Sequence, residues 1–195
     1  MKLARTTFCS LIATALVGLA AAQPQPKRTP DVIYLPTTDP AVDAMLTLAG
    51  VKKTDVVYDL GCGDGRIVIT AAKKYGARGV GIDIDPQRIA EARENAKKAG
   101  VEHLVRFEEN DLFLADIKEA TIVTLFLLPQ LNLKLKPKLL ADLKSGTPII
   151  SNTFDMGDWK PEKEVTVDPT DQDDYSGLSK RVFRWTVPPR PSQPK

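Results

Sequence analysis

Histidine and cysteine are nearly absent: one His and two Cys stand in 195 residues. His103 falls in a polar turn and reads as an exposed loop residue rather than a catalytic base, and no metal is expected. Cys9 lies in the leading apolar segment and Cys62 in a glycine-rich loop, so a chain without that segment has no internal disulfide even in an oxidising compartment. Excess charge of one sign is lacking too. The chain has 27 basic and 25 acidic residues, and residues 1–22 hold Lys2 and Arg5 but no acid, which leaves 25 of each sign beyond them. A nucleic-acid partner is therefore not expected, because such binders gather a basic excess on one face. The one dense basic stretch, Lys134, Lys136 and Lys138, reads as a solvated helix face. The leading apolar run, Leu11 to Ala22, is twelve residues long, short of the roughly 20 that a membrane-spanning helix takes. With Lys2 and Arg5 before it and Ala20-Ala21-Ala22 at its end, it has the arrangement of a secretory signal cleaved after Ala22. Export to the periplasm or the exterior is the expectation. The alternative is a retained anchor through residues 11–22, the only case in which membrane contact is expected.

The rest has the make-up of one soluble globular domain, and the whole chain is 43% hydrophobic and 27% charged. Residues 23–30, with Pro24 and Pro26, read as a linker, residues 31–187 as the domain, and residues 188–195, with four prolines, as a disordered tail. Thr37, Thr38 and Asp39 offer caps before Pro40, and Val42, Met45, Leu46 and Ala49 recur at helical spacing. Strands are predicted at 56–60, 79–83, 105–107, 122–128 (stopped by Pro129), 147–151, 164–167 and 181–187. Helices are predicted from Arg66 to Gly76, from Pro86 to Gly100 with Asp85 as N-cap, and over 132–143, where Pro137 implies a late start or a kink. The continuous apolar run at 122–128 is what a central parallel strand needs. Strands alternating with helices predict a doubly wound α/β fold with a seven-stranded, mostly parallel sheet, whose ligands bind at the carboxyl ends of the strands.

The most informative segment is Val56-Val57-Tyr58-Asp59-Leu60-Gly61-Cys62-Gly63-Asp64-Gly65, a strand with an acid near its end followed by a glycine-rich turn. Glycines let the backbone take positive φ and approach a ligand without a Cβ in the way. Asp83, 22 residues beyond Gly61, ends the next strand, where a carboxylate can accept from both hydroxyls of a ribose. A dinucleotide fingerprint would need glycine at position 66, where Arg66 stands, and a P-loop would need a Gly-Lys-Ser/Thr end. Both are missing, so the loop points to an adenosine-bearing cofactor of another kind.

The spacing Gly61-x-Gly63-x-Gly65, with Asp59 before it and Asp83 after it, resembles motif I of class I S-adenosylmethionine-dependent methyltransferases. Together with Tyr34-Leu35-Pro36-Thr37 and Leu127-Leu128-Pro129, it is similar to bacterial relatives of the mitochondrial lysine methyltransferases that act on the ATP synthase c subunit and the adenine nucleotide translocase. The resemblance spans residues 31 to 187. It implies S-adenosylmethionine as cofactor, with Asp59, Gly61 and Gly63 around the methionine moiety, Asp83 on the ribose and Asp111 near the adenine amine; capping the following turn is the other reading of Asp111. Loop N–H groups are expected to meet the cofactor's polar end. The implied activity is N-methylation of protein lysine. A small-molecule or lipid acceptor, or a non-catalytic cofactor-binding protein, are the alternatives. Where amine methyltransferases place Asn-Pro-Pro-Tyr this chain has Leu127-Leu128-Pro129-Gln130, a departure that argues against nucleic-acid amines and leaves the Leu128 carbonyl and Gln130 as orienting groups. Tyr34 and Asp155 are the other candidates on the acceptor side. Trp159 reads as core, and Asp64 and Arg66 fit the pattern of the branch, a mutual surface ion pair being the other reading.

Overall fold

Alternating apolar strands and amphipathic helices assemble in chain order as α1 (Asp39–Ala49), β1 (Val56–Leu60), α2 (Arg66–Tyr75), β2 (Arg78–Asp83), α3 (Pro86–Lys98), β3 (Val105–Glu109), β4 (Ile122–Leu125), α4 (Pro129–Asp142), β5 (Pro148–Asn152), β6 (Lys163–Thr166) and β7 (Arg181–Thr186). The computed structural model describes residues 34–167 and 181–190. The expected signal and linker, the acidic loop between the last two strands and most of the expected tail lie outside the described residues.

The sheet has seven strands in the order β3-β2-β1-β4-β5-β7-β6. β1 to β5 pair in parallel, while β7 runs antiparallel to both β5 and β6. The strand order reverses between β1 and β4, where a crevice opens at the carboxyl ends of the strands. Alternation along β1 divides the core. Val57 packs with α1, α2 and α3 on one face, and Val56, Tyr58 and Leu60 pack with Leu135 and Leu139 of α4 on the other. Trp185 of β7 is fully buried in the second core, its indole N–H donating to the Trp159 carbonyl at 2.7 Å, so Trp159 lies at the core's edge as expected.

Local chemistry sets the helix ends. Gly76 closes α2 in the left-handed conformation, and Asp85 caps α3 by accepting from the Gln87 N–H at 2.8 Å. Two elements differ from expectation. β4 stops at Leu125 instead of running to Leu128, and Pro129 does not merely stop a strand but opens α4 as its first residue, a place where the missing N–H and fixed φ fit a helix. α4 then continues through Pro137 to Asp142. Its lysines are individually engaged: Lys136 with Asp158, Lys138 with Asp142, and Lys134 over the Phe113 ring at 4.1 Å. After β7, Arg190 donates to the carbonyls of Ala141 and Leu143, which fastens the start of the expected tail to the end of α4.

Candidate active site

The crevice at the carboxyl ends of the strands holds a cavity of about 300 Å³. Its walls have two different halves. Asp59, Gly61, Asp83 and Asp111, from the ends of β1, β2 and β3, line one half; Phe126, Leu127, Leu128 and Leu131 after β4, with Phe154 after β5, line the other. Tyr34, Leu35 and Pro36 close over the top.

In the acidic half, Asp59 is buried, with the Thr124 hydroxyl donating to its Oδ1 at 2.8 Å. Burial pushes its carboxyl up to about 7, helped by the charges of Asp83 and Asp64 and opposed by the Thr124 bond. Asp83 accepts from the Gly63 N–H at 2.9 Å through one oxygen and from the Asp85 N–H at 3.0 Å through the other, which fixes the carboxylate beside the loop. Asp111 lines the cavity and also accepts from the Phe113 N–H at 2.9 Å, so its turn-capping role is realised. The loop amides differ from expectation. The N–H groups of Gly61 and Cys62 donate to the Ile82 carbonyl at 2.8 and 3.0 Å, and that of Gly63 goes to Asp83, so these three are engaged within the fold. What the loop offers instead is closeness. At Gly63, with φ 51°, a Cβ would stand 2.3 Å from the Tyr34 ring, and at Gly61, with φ 86°, 2.9 Å from Leu127. Cys62 is buried and free, and burial drives its thiol well above the ordinary value.

Asp64 and Arg66 are no surface pair. Asp64 is 9% exposed, and Arg66 grips it through Nε and Nη2 while Nη1 donates to the Thr37 carbonyl at 2.7 Å. Burial raises the Asp64 carboxyl, and the Arg66 hydrogen bonds and charge outweigh this and hold it below its usual value. Tyr34 is hydrogen-bonded to Asp64, and the Arg88 guanidinium lies 4.7 Å from its ring centre. Residues 34–37 are thereby strapped across the glycine loop.

Of the expected acceptor-side residues, Tyr34 and Leu128 line the cavity. Gln130, in the first turn of α4, and Asp155, which accepts from the Gly157 N–H at 3.0 Å, are exposed and away from the lining. The Leu128 carbonyl accepts from the N–H groups of Leu131 and Asn132 at 2.9 and 3.1 Å, so it belongs to the helix start and does not orient a substrate. Phe126 and Phe154 were not anticipated. Their rings stack with centroids 6.2 Å apart and planes at 21°. The one sequence signal was an aromatic residue at the end of a strand pointing into the crevice.

This sheet and cleft define the class I S-adenosylmethionine-dependent methyltransferases. Residues 59–163 match the ANTKMT methyltransferase domain, and the chain belongs to that family. It is 46% identical over 140 residues to the protein-lysine N-methyltransferase of Saccharolobus islandicus, an alignment covering 71% of this chain and 87% of that protein. It is 32% identical over 161 residues to the Xenopus laevis lysine N-methyltransferase named for the ATP synthase c subunit, covering 78% of this chain and 70% of that protein. Among solved structures, the RNA methyltransferase from Salinibacter ruber in complex with S-adenosyl-L-homocysteine is 54% identical with a TM-score of 0.72, over 82% of this chain and 98% of that one. The cleft fits the cofactor of the class. A buried carboxylate flanked by two more acids, at one end of a cavity of about 300 Å³, suits a cation, which the cofactor's ammonium and sulfonium provide.

Proposed function

We propose that this enzyme methylates the side-chain amine of protein lysine. The observation that carries the reading is the apolar half of the cavity: Leu35, Phe126, Leu128, Leu131 and Phe154 suit a long aliphatic stem and supply no titratable group. The names of the Saccharolobus and Xenopus relatives agree with it. The RNA named for the Salinibacter protein is the competing acceptor, disfavoured by the balanced charge and by the engagement of the α4 lysines.

S-adenosylmethionine, when bound, supplies a methyl group on a sulfonium, which the amine lone pair takes as the carbon–sulfur bond breaks. In the proposed site Asp59 holds the cofactor's ammonium, Asp83 accepts from the ribose hydroxyls, Gly61 and Gly63 permit close approach, and Asp111 stands at the adenine. Tyr34 covers the junction of the two halves. Orientation supplies most of the rate in such an in-line displacement, so a strong base is not required. The lysine must arrive neutral, and the move into apolar surroundings lowers its pKa in that direction.

Tritiated methyl transfer from S-adenosylmethionine to mixed proteins and to RNA, followed by amino-acid analysis, tests this. The expected product is Nε-methyl-lysine; label confined to RNA would overturn the reading. Export after removal of residues 1–22 is also part of the proposal, and N-terminal sequencing of protein recovered from its source organism checks it: a first residue of Gln23 is expected. Among the described residues no helix is long and apolar enough to cross a membrane.

A further inference from the structure

We infer that Asn132 is a positioning residue that holds Phe154 against Phe126, so that the two rings form the wall along which the acceptor amine and its stem enter. The inference rests on the lysine reading for the identity of the amine, but its geometry stands apart from it.

Asn132 is fully buried on α4, one turn after the helix start. Its Nδ2 lies 3.3 Å from the Phe154 carbonyl, 3.2 Å from that of Asp155 and 3.4 Å from Ser151 Oγ. Ser151 Oγ in turn donates to the Phe154 carbonyl at 2.6 Å. The chain reverses here through Thr153, whose φ of 67° makes it the only non-glycine residue with positive φ among the described residues. The Phe154 N–H donates to the Asn152 carbonyl at 2.7 Å across it, which closes a γ-turn of the rare positive-φ form. The Thr153 N–H donates to the Arg181 carbonyl at 2.7 Å. Helix, strand and neighbouring strand thus all hold one three-residue turn.

Each feature is unfavourable alone. A β-branched residue is strained in the left-handed region. A buried amide whose Oδ1 meets no protein partner is a poorer core residue than leucine. They coincide on a turn whose product is the place of the Phe154 ring, and strain kept at one point of a fold marks a site where position matters. The stacked pair offers an apolar aromatic face along which the methylenes of the stem can lie, which suits an alkylamine on a flexible stem.

The test uses the full chain labelled with 4-fluorophenylalanine, the Phe154 signal being assigned through Phe154→Leu. Pentylamine, which reproduces the lysine side chain together with its Cα, is titrated against protein loaded with S-adenosylhomocysteine. In the wild type the Phe154 fluorine signal is expected to shift with pentylamine. Asn132→Ala should move that signal before any amine is added and weaken pentylamine at least tenfold, with S-adenosylhomocysteine affinity within twofold. Thr153→Gly, which relieves the backbone and keeps the fold, should give an equal or higher Tm with the same loss of amine binding. A purely structural turn would gain stability and lose nothing. The proposal is overturned if the wild-type signal ignores pentylamine, if both variants keep the signal and amine affinity within twofold, or if cofactor and amine affinity fall together. Amine bound at the wall with no methyl-lysine formed from protein would instead count against the lysine reading alone.

Discussion

Asp59 couples the site to pH. Its folded value of about 7 against an ordinary 3.8 means that between these limits the folded chain holds a proton that the unfolded chain has lost. The stability this gives is full below the unfolded value and disappears as pH rises through about 7. The shift corresponds to about 4 kcal/mol as an upper bound. Asp59→Asn is accordingly expected to raise the Tm of the ligand-free protein clearly more at pH 8 than at pH 5, with the difference vanishing only below the unfolded value. In the proposed site the cofactor's ammonium requires the carboxylate, so S-adenosylhomocysteine affinity should fall by roughly 30-fold from pH 8 to pH 5.5 in the wild type. In Asp59→Asn it should be weak at both. Calorimetry at the two pH values checks this, and a flat wild-type profile would remove Asp59 from the ammonium. At Gly63 the same loop is tested by size. Gly63→Ala places a methyl group against Tyr34 and a side chain at φ 51°, and should lower stability by about 1–2 kcal/mol in a denaturant melt while displacing the Tyr34 ring.

Helix α4 shows how far an element can be read from its residues. Pro137 removes a hydrogen bond to the Leu133 carbonyl, yet the helix continues through it to Asp142, with Leu135 and Leu139 fully buried on either side. Pro137→Ala should restore that bond and raise stability by roughly 1–3 kcal/mol with S-adenosylhomocysteine affinity unchanged; a fall in stability would mean that the ring packs in a way the helix depends on. The sequence could not reveal this because tertiary burial outweighed a local penalty. The same applies to the end of β4. An apolar run from Ile122 to Leu128 reads as one strand, but Phe126, Leu127 and Leu128 are apolar because they line a cavity. By contrast β1, α2 and α3 were legible, since Gly61, Gly65, Gly76, Asp85 and Pro86 mark their limits with residues that few other conformations favour. Asp59, Gly61, Asp83 and Asp111, which line the cleft, were legible for the same reason, whereas Gly63 packs beneath the Tyr34 ring outside the lining. Phe154 was not legible, because its position depends on Thr153 adopting a backbone conformation that threonine gives no hint of.

At the scale of the whole molecule, one sheet presents two chemistries along a single edge: acids at the ends of β1, β2 and β3, and aromatic and aliphatic side chains beyond β4 and β5. Cofactor and acceptor are thus proposed to meet where the strand order reverses. Because the ligand binds only the folded chain, S-adenosylhomocysteine at a hundred times its Kd should stabilise the protein by about 2.7 kcal/mol, read as a thermal shift of roughly 5–10 °C for a chain of this size. An unshifted melt at that concentration would mean that the ligand does not bind the folded chain in preference to the unfolded one. The most direct test of the account is calorimetric titration of residues 23–195 with S-adenosylhomocysteine, beside Asp83→Ala shown to be folded by circular dichroism. One site per chain, weakened at least a hundredfold by the substitution, is the predicted result. A folded wild type that takes up no ligand, or an Asp83→Ala variant that binds as well as the wild type, would contradict it.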